Sequence, residues 1–253
     1  MLKHRVIPAL LLKNNGLVKT VKFKNPKYVG DPINAIRIFN DKEVDELVIL
    51  DISASKEGRD PNYTIIREIA GECFMPLCYG GGVRSLEQAK QIFSLGVEKV
   101  CLQTAALTNL ELVSDIAARF GSQSVVVSVD IKRDWLGRYQ LYRADIAKLV
   151  SAPWQKFIQN AVAAGAGEIL LNAVDRDGTL AGPDLDLIRQ SNHNLQVPLI
   201  ALGGVGSLED IRLAVAAGAN AVAAGAFFVF HGPHRAVLIT YPPYEVLEDL
   251  LKP

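Results

Sequence analysis

Pro76–Val100 reads PLCYGGGVRSLEQAKQIFSLGVEKV, and Pro198–Val222 reads PLIALGGVGSLEDIRLAVAAGANAV. Aligned without a gap, they share ten of 25 positions at an offset of 122 residues, close to half of the 253-residue chain. A repeat of that length predicts two fused halves, approximately 1–122 and 123–253. In each copy a short apolar run leads into paired glycines, then a serine-started helical stretch, then a second apolar run. Ser85 with Gln88 makes a capping box, and Gly96 suits a helix C-terminus.

Working outward, eight β-rich apolar runs recur: Arg5–Leu12, Leu47–Ile52, Pro76–Tyr79, Lys99–Leu102, Ser124–Ile131, Glu168–Asn172, Pro198–Leu202 and Ala221–Ala224. Most are unbroken rather than alternating, as parallel strands buried on both faces require. Helical patterns lie between them. Asp31-Pro32 reads as an N-cap with proline at the first helical position, and Ile33, Ile36 and Phe39 follow on one face. Strands alternating with helices give a parallel α/β protein. Eight such units in a chain this long predict a single (β/α)8 barrel domain, with a doubly wound sheet as the alternative.

Composition bounds the function. The chain is 49% hydrophobic and 21% charged, with 27 basic and 27 acidic residues. The balance argues against a nucleic-acid-binding surface. Cys73, Cys78 and Cys101 have no metal-ligand spacing and form no even disulfide framework, which fits a reducing, cytoplasmic setting and predicts no metal or resident cofactor. The apolar run Val6–Leu12 is too short for a signal core or a membrane span.

In a barrel, chemistry gathers where strands end. Gly81-Gly82 follow the third strand and Gly203-Gly204 the seventh, where bare backbone N–H groups beside helix starts suit an anion. Thr104 and Gly225 follow the neighbouring fourth and eighth strands, so the repeat predicts two phosphate sites across the mouth. Tight turns needing positive φ would select the same glycines. Asp51, Asp130 and the run Asp175-Arg176-Asp177-Gly178-Thr179 end the second, fifth and sixth strands, which makes acid/base chemistry plausible; helix capping is the simpler use of each alone.

Superimposing VVVSVDIK on VIPALLLK matches Lys132 with Lys13 and Asp130 with Leu11. One member of a symmetric acid pair is therefore apolar, and leucine cannot carry a proton. Asn14–Gly30, with Lys19, Lys22, Lys24 and Lys27, reads as a substrate lid or as a solvated loop. His231, His234 and Arg235 lie after the eighth strand, as anion-binding cations or as part of a structural loop.

The chain resembles the cyclase subunit of imidazole glycerol phosphate synthase almost end to end. LDISAS (50–55), YGGGVRSLEQA (79–89), GVEKV (96–100), QTAA (103–106), VVVSVDIKR (125–133), GAGEILLNAVDRDGT (165–179) and GGVGSLED (203–210) carry the likeness. It implies a glutaminase partner on the N-terminal face, ammonia crossing the barrel, and a phosphorylated substrate at the other end. It implies Asp130 as a catalytic acid/base, with Lys19, Asp51 and Asp177 as active-site polar residues. Phosphate contacts fall on Gly81, Gly82, Thr104, Gly178, Gly203, Gly204 and Gly225. An ammonia gate falls on Arg5, Glu46, Lys99 and Glu168; a stability ring at the barrel base is the plainer reading of those four. The chain departs from the pattern at Leu11, where the family has its second aspartate, at Gln103 (usually Asn) and at Ala226 (usually Ser). LLLKNNGLVKTVKFKNPKYVGDP (10–32) and FFVFHGPHRAVLITYP (227–242) look like a sister branch of bacterial surface-polysaccharide loci, whose barrel supplies ammonia to a separate sugar amidotransferase. Leu11 weighs equally against a working cyclase and a related phosphoribosyl aminoaldose isomerase.

Overall fold

The computed structural model describes residues 4–252. Eight parallel strands form the barrel wall: β1 (Arg5–Lys13), β2 (Leu47–Asp51), β3 (Leu77–Gly80), β4 (Lys99–Leu102), β5 (Val125–Arg133), β6 (Glu168–Ala173), β7 (Leu199–Leu202) and β8 (Ala221–Ala224). Each pairs with the next, and β8 pairs with β1 through Arg5↔Ala221 to Pro8↔Ala224, which closes the ring. This is a (β/α)8 barrel; a doubly wound sheet would have left two open edges. All eight predicted strands are present, with ends within two residues of those expected.

The outer helices are α1 (Pro32–Asp41), α2 (Tyr63–Glu72), α3 (Leu86–Ser94), α4 (Glu111–Phe120), α5 (Trp154–Ala163), α6 (Leu185–Asn192), α7 (Leu208–Ala216) and α8 (Tyr244–Leu250). Their starts are set locally. Asp31 accepts from the Asn34 amide at 3.0 Å, with Pro32 in the first turn where no N–H is needed. Ser85 and Ser207, one repeat apart, accept from Gln88 N and Asp210 N, each at 3.2 Å. The return bonds differ from a standard capping box: Gln88 and Asp210 reach the amides of Arg84 and Gly206, one residue ahead of the cap.

Outward-facing side chains of the strands and the inner helix faces form the main core, including Phe39, Ile36, Ile66 and Leu47, all fully buried. Each such side chain contributes about 1.5–3 kcal/mol. A second, smaller cluster fills the barrel itself: Ile7, Ala9, Val48, Cys78, Cys101, Val126, Leu170, Ile200, Leu202, Ala221 and Ala223. Five of these eleven inward side chains are alanine or cysteine and the rest are branched aliphatics, which together fill the narrow axis on which eight strands converge.

Three excursions rise from the strand ends. The stretch Asn14–Gly30 is an antiparallel hairpin continuing β1, not an irregular loop: Gly16–Val21 pairs with both β1 and Lys24–Gly30. Tyr139–Arg143 and Lys148–Val150 extend β5 in the same way. After β8, Phe230–His231 pairs with Ala236–Val237 in a small tail hairpin. Among the described residues, no helix is long and apolar enough to cross a membrane.

Candidate active site

At the N-terminal end of the barrel, four side chains close a ring. Arg5 bonds to Glu46, and its Nη2 lies 3.0 Å from Glu168 Oε1. Lys99 Nζ is 2.9 Å from Glu46 and 3.2 Å from Glu168. Each cation thus contacts both carboxylates. Position along the strands explains the ring: Arg5, Lys99 and Glu168 open β1, β4 and β6, and Glu46 immediately precedes β2. The side chains of Glu46 and Lys99 are 2% and 15% exposed, so the ion pairs are held out of bulk water. Above the ring, the apolar cluster described above packs along the axis, with Ser128 following Val126 on the inward face of β5.

At the opposite end the strands open into a cavity of about 370 Å³. Its lining includes Leu11, Lys19, Asp51, Gly81, Gly82, Thr104, Asp130, Asp177, Gly178 and Gly225, which brings together ten residues singled out in the sequence. Gly203 and Gly204 are not part of this lining; both are buried. A Cβ at Gly204 would meet Gly182 O at 2.1 Å and Arg176 Cβ at 3.1 Å, so the loop after β6 covers this second glycine pair.

The backbone of the two glycine pairs is nonetheless equivalent. Gly81 and Gly203 have φ of +122° and +106°, and Gly82 and Gly204 have +76° and +96°. A Cβ at Gly81 would lie 2.5 Å from Asp51 O, and one at Gly203 would lie 2.8 Å from Ala173 O, again one repeat apart. Both conformation and close approach exclude larger residues here.

Asp130 sits at the cavity floor, 6% exposed, and accepts from Ser128 Oγ at 3.3 Å. Burial pushes its carboxyl up to about 7, against the Ser128 hydrogen bond. Leu11 lies between Ala9 and Lys13 in the run of inward-facing positions on β1 and pairs in register with Leu50. Asp130 therefore has an apolar side chain, not a second carboxyl, at its pseudo-symmetric position. Ser128 and Asn172 were missed by the sequence reasoning. Both are buried, line the cavity, and share the inward face with Asp130 or pair with it across β5 and β6. The available signal was a polar residue at the period-two inward position of an otherwise apolar strand.

Lys19 is carried by the first hairpin, and its Nζ donates to Ala9 O at 2.5 Å. Complete burial lowers its ammonium to about 8, opposed by the Asp177 charge. Asp177 in turn is raised by burial; its Oδ2 accepts from Thr20 Oγ1 at 2.9 Å. Lys22 N also donates to Asp177 O at 2.9 Å, and Phe23 packs on Tyr142 with ring centroids 6.0 Å apart. The hairpin thus lies down across the mouth. Asp51 Oδ1 accepts from the amides of Ser53 and Ala54 at 2.9 and 3.1 Å, so it shapes the turn after β2 while lining the cavity. Gln103 donates to Tyr142 O and accepts from Thr104 Oγ1, both at 2.9 Å, which ties the end of β4 to the β5 excursion. His231 and His234 are exposed on the tail hairpin, and Arg235 reaches Gly178 O and Thr179 O at 3.4 and 3.3 Å. Among the described residues, no group of three or more His, Cys, Asp or Glu is placed to hold a metal ion.

A closed parallel barrel, an ion-pair ring at one end and an acid-bearing, glycine-rimmed cavity at the other define a small-molecule site of the (β/α)8 class. Comparison with known proteins gives the family. Residues 5–233 match the family model described as histidine biosynthesis protein, and the chain belongs to that family, among its HisF-like members. It is 55% identical over 249 residues to the Pseudomonas aeruginosa protein named "Putative imidazole glycerol phosphate synthase subunit hisF2", covering 98% of this chain and 99% of that one. It is 48% identical over 252 residues to a Leptospira interrogans protein named "Putative imidazole glycerol phosphate synthase subunit HisF", covering 99% of each. Against the imidazole glycerol phosphate synthase subunit HisF of Exiguobacterium sibiricum, identity is 41% over 230 residues, covering 90% of this chain and 91% of the other.

Proposed function

We propose that this chain is the ammonia-conducting barrel subunit of a two-chain glutamine amidotransferase that serves sugar amidation in surface-polysaccharide assembly. A glutaminase subunit docks on the N-terminal face and releases ammonia at the ring of Arg5, Glu46, Lys99 and Glu168. The apolar side chains along the axis favour neutral ammonia over ammonium, because an unpaired charge there would be desolvated without compensation. The ammonia leaves at the mouth for a separate sugar amidotransferase. The observation that carries this reading is Leu11: the ring is complete, while the reaction end has an apolar residue at the pseudo-symmetric partner of Asp130.

A second reading, an imidazole glycerol phosphate synthase cyclase, draws on Asp130, whose carboxyl is raised by burial to about 7, and on buried Lys19, both of which line the 370 Å³ cavity. Loss of one acid/base group costs roughly 10²- to 10⁴-fold in rate, so the two readings separate cleanly. The test is ammonia-dependent turnover of the histidine-pathway ribonucleotide, with a two-aspartate cyclase as control. No turnover by folded protein, with glutaminase stimulation on mixing the two subunits, is the expected result. Turnover within about tenfold of the control, against that penalty, would establish the cyclase.

A further inference from the structure

Exposed apolar side chains gather on the excursion that extends β5. Trp135 and Leu136, at its tip, are 88% and 52% exposed, and Ile146 and Leu149, around its second turn, are exposed as well. Among the described residues Trp135 is the most exposed large hydrophobic side chain. The turn that presents it is closed on itself. Asp134 Oδ1 accepts from the amides of Leu136 and Arg138, both at 2.9 Å, and Asp134 Oδ2 accepts from Arg138 Nε at 2.8 Å. Asp134 N donates to Arg138 O at 2.9 Å, and Gly137 N donates to Asp134 O at 3.0 Å. Below the tip, Arg133 stacks over the Tyr139 ring, 4.3 Å from its centre. Both then reach Asp184, the cap of α6, at 3.1 and 2.7 Å. The turn is thus fixed before anything touches it. A rigid aromatic held out of the fold in this way loses little freedom on contact.

The surroundings of the tip are basic. The three excursions, 14–30, 132–150 and 227–242, carry ten lysines and arginines against two acids, Asp134 and Asp145, in a chain with 27 of each sign. Arg133 and Arg138 flank Trp135 and remain exposed beyond their aspartates. Lys148, Lys22, Lys24 and Lys27 are exposed too. None of these six side chains lines the mouth cavity, and neither Trp135 nor Leu136 does. The charge and the apolar tip therefore face outward, above the cavity rather than into it.

The direction of ammonia flow selects what covers this surface. Ammonia that leaves the mouth into water is protonated and loses its nucleophilic lone pair. An enzyme that receives it neutral has to close over the mouth, so its contacts fall on the C-terminal rim. A second copy of the chain would set like charges against each other. A bilayer would close the mouth against lipid, with no acceptor behind it.

We propose that Trp135 and Leu136 anchor the ammonia-accepting enzyme over the barrel mouth by entering an apolar pocket rimmed with carboxylates. Asp134 is a positioning residue, which fixes the turn that holds them out. This rests on the ammonia-supply reading above and adds the surface through which the ammonia is handed on.

The test pairs the full chain with a sugar amidotransferase from the same organism, and adds the glutaminase for activity. The chain has two tryptophans, Trp135 and Trp154, and Trp154 is buried. With 5-fluorotryptophan in this chain alone, each gives its own fluorine resonance. Docking moves the Trp135 resonance and leaves that of Trp154 in place. Trp135→Ser weakens the association by about tenfold or more, as for a central aromatic anchor. It lowers amidation from glutamine, while amidation from added ammonium salt stays unchanged. Asp134→Ala, which frees the turn but keeps the apolar side chains, weakens the association by a smaller factor. Phe74→Ser removes an aromatic of similar exposure just before β3, on the opposite face, and leaves the association unchanged. Leu136→Ser replaces any variant whose unfolding midpoint falls by more than about 3 °C. Undiminished association in Trp135→Ser, or an equal loss in Phe74→Ser, overturns the proposal. So does a wild-type chain that dimerises alone through Trp135, or that binds phosphatidylglycerol vesicles through it, since either gives the tip another occupant. Wild-type proteins that make no amidated sugar from glutamine refute the ammonia reading and this proposal together. Amidation from glutamine that Trp135→Ser does not lower refutes this proposal alone.

Discussion

The ammonium of Lys19 lies 2.5 Å from the point where a side chain at Gly225 would begin, so a residue of the first hairpin occupies the place of a side chain on the eighth strand's loop. Gly225 has φ −107°, open to any residue, and its requirement for glycine is therefore the space Lys19 takes. Gly225→Ala is expected to displace Lys19 from Ala9 O and cost about 1–2 kcal/mol, with less cost in a Lys19→Met background. A double-mutant cycle by urea unfolding should give a coupling of at least about 0.5 kcal/mol. Additive effects would remove the link.

Asp130 and Lys19 together set a pH profile for stability. The Asp130 value is raised to about 7, so between the unfolded carboxyl value and 7 the native state holds the extra proton and stability falls as pH rises. The Lys19 value is lowered to about 8, so from 8 up to the unfolded amine value the unfolded state holds more protons and stability rises with pH. Asp177, also raised, adds to the acid side. A stability minimum near pH 7–8 is expected. Asp130→Asn should remove most of the acid limb, up to about 4 kcal/mol by the size of the shift; unfolding midpoints from pH 4 to pH 10 measure it.

Within the entrance ring, Glu46 touches both cations and is the most buried member, while the Arg5 side chain is 27% exposed. Glu46→Ala leaves a buried Lys99 with one partner and should cost about 3–5 kcal/mol. Arg5→Ala should cost less than half of that. The reverse order in chemical denaturation would mean that the ring is not held as described.

A Cβ at Gly178 would lie 2.0 Å from Thr20 O, and Gly178 itself has φ +68°. Gly178→Ala is expected to lift the first hairpin off the β6 loop. The Lys22 amide, which donates to Asp177 O, reports this directly: its hydrogen exchange should speed up at least tenfold while β5 and β6 amides stay protected.

Leu11→Asp restores a carboxyl at the inward end of β1, opposite Asp130. With the cavity otherwise intact, turnover of the histidine-pathway ribonucleotide with ammonia should rise by about 10²-fold or more over the parent chain. No gain would mean that Gln103, Ala226 and the tail have also moved the mouth away from that substrate.

The barrel was legible because its signals are local and repeated: apolar runs long enough for a buried strand, Asp31, Ser85 and Ser207 as caps, and glycines at fixed places after β3 and β7. The resemblance singled out Arg5, Glu46, Lys99 and Glu168, and the strand assignments put all four at strand starts, on one rim. The excursions were not legible. Gly16–Gly30 alternates too weakly to read as a hairpin, with its tip built on positive-φ Lys22 and Phe23 rather than Asn-Gly. Burial of Gly203-Gly204 arises from the fold-back of the β6 loop, which sequence spacing does not encode.

The borrowed lysine bears on how separable the halves are. Residues 123–253 contain four barrel strands and their own glycine pair, yet the corner they build takes Lys19 from the other half. Two copies of the second half, paired to close a ring, would reproduce the scaffold but bring the excursion Tyr139–Val150, not Lys19, to that corner. Duplication made the architecture modular, whereas the chemistry at that corner has become the joint property of the whole chain.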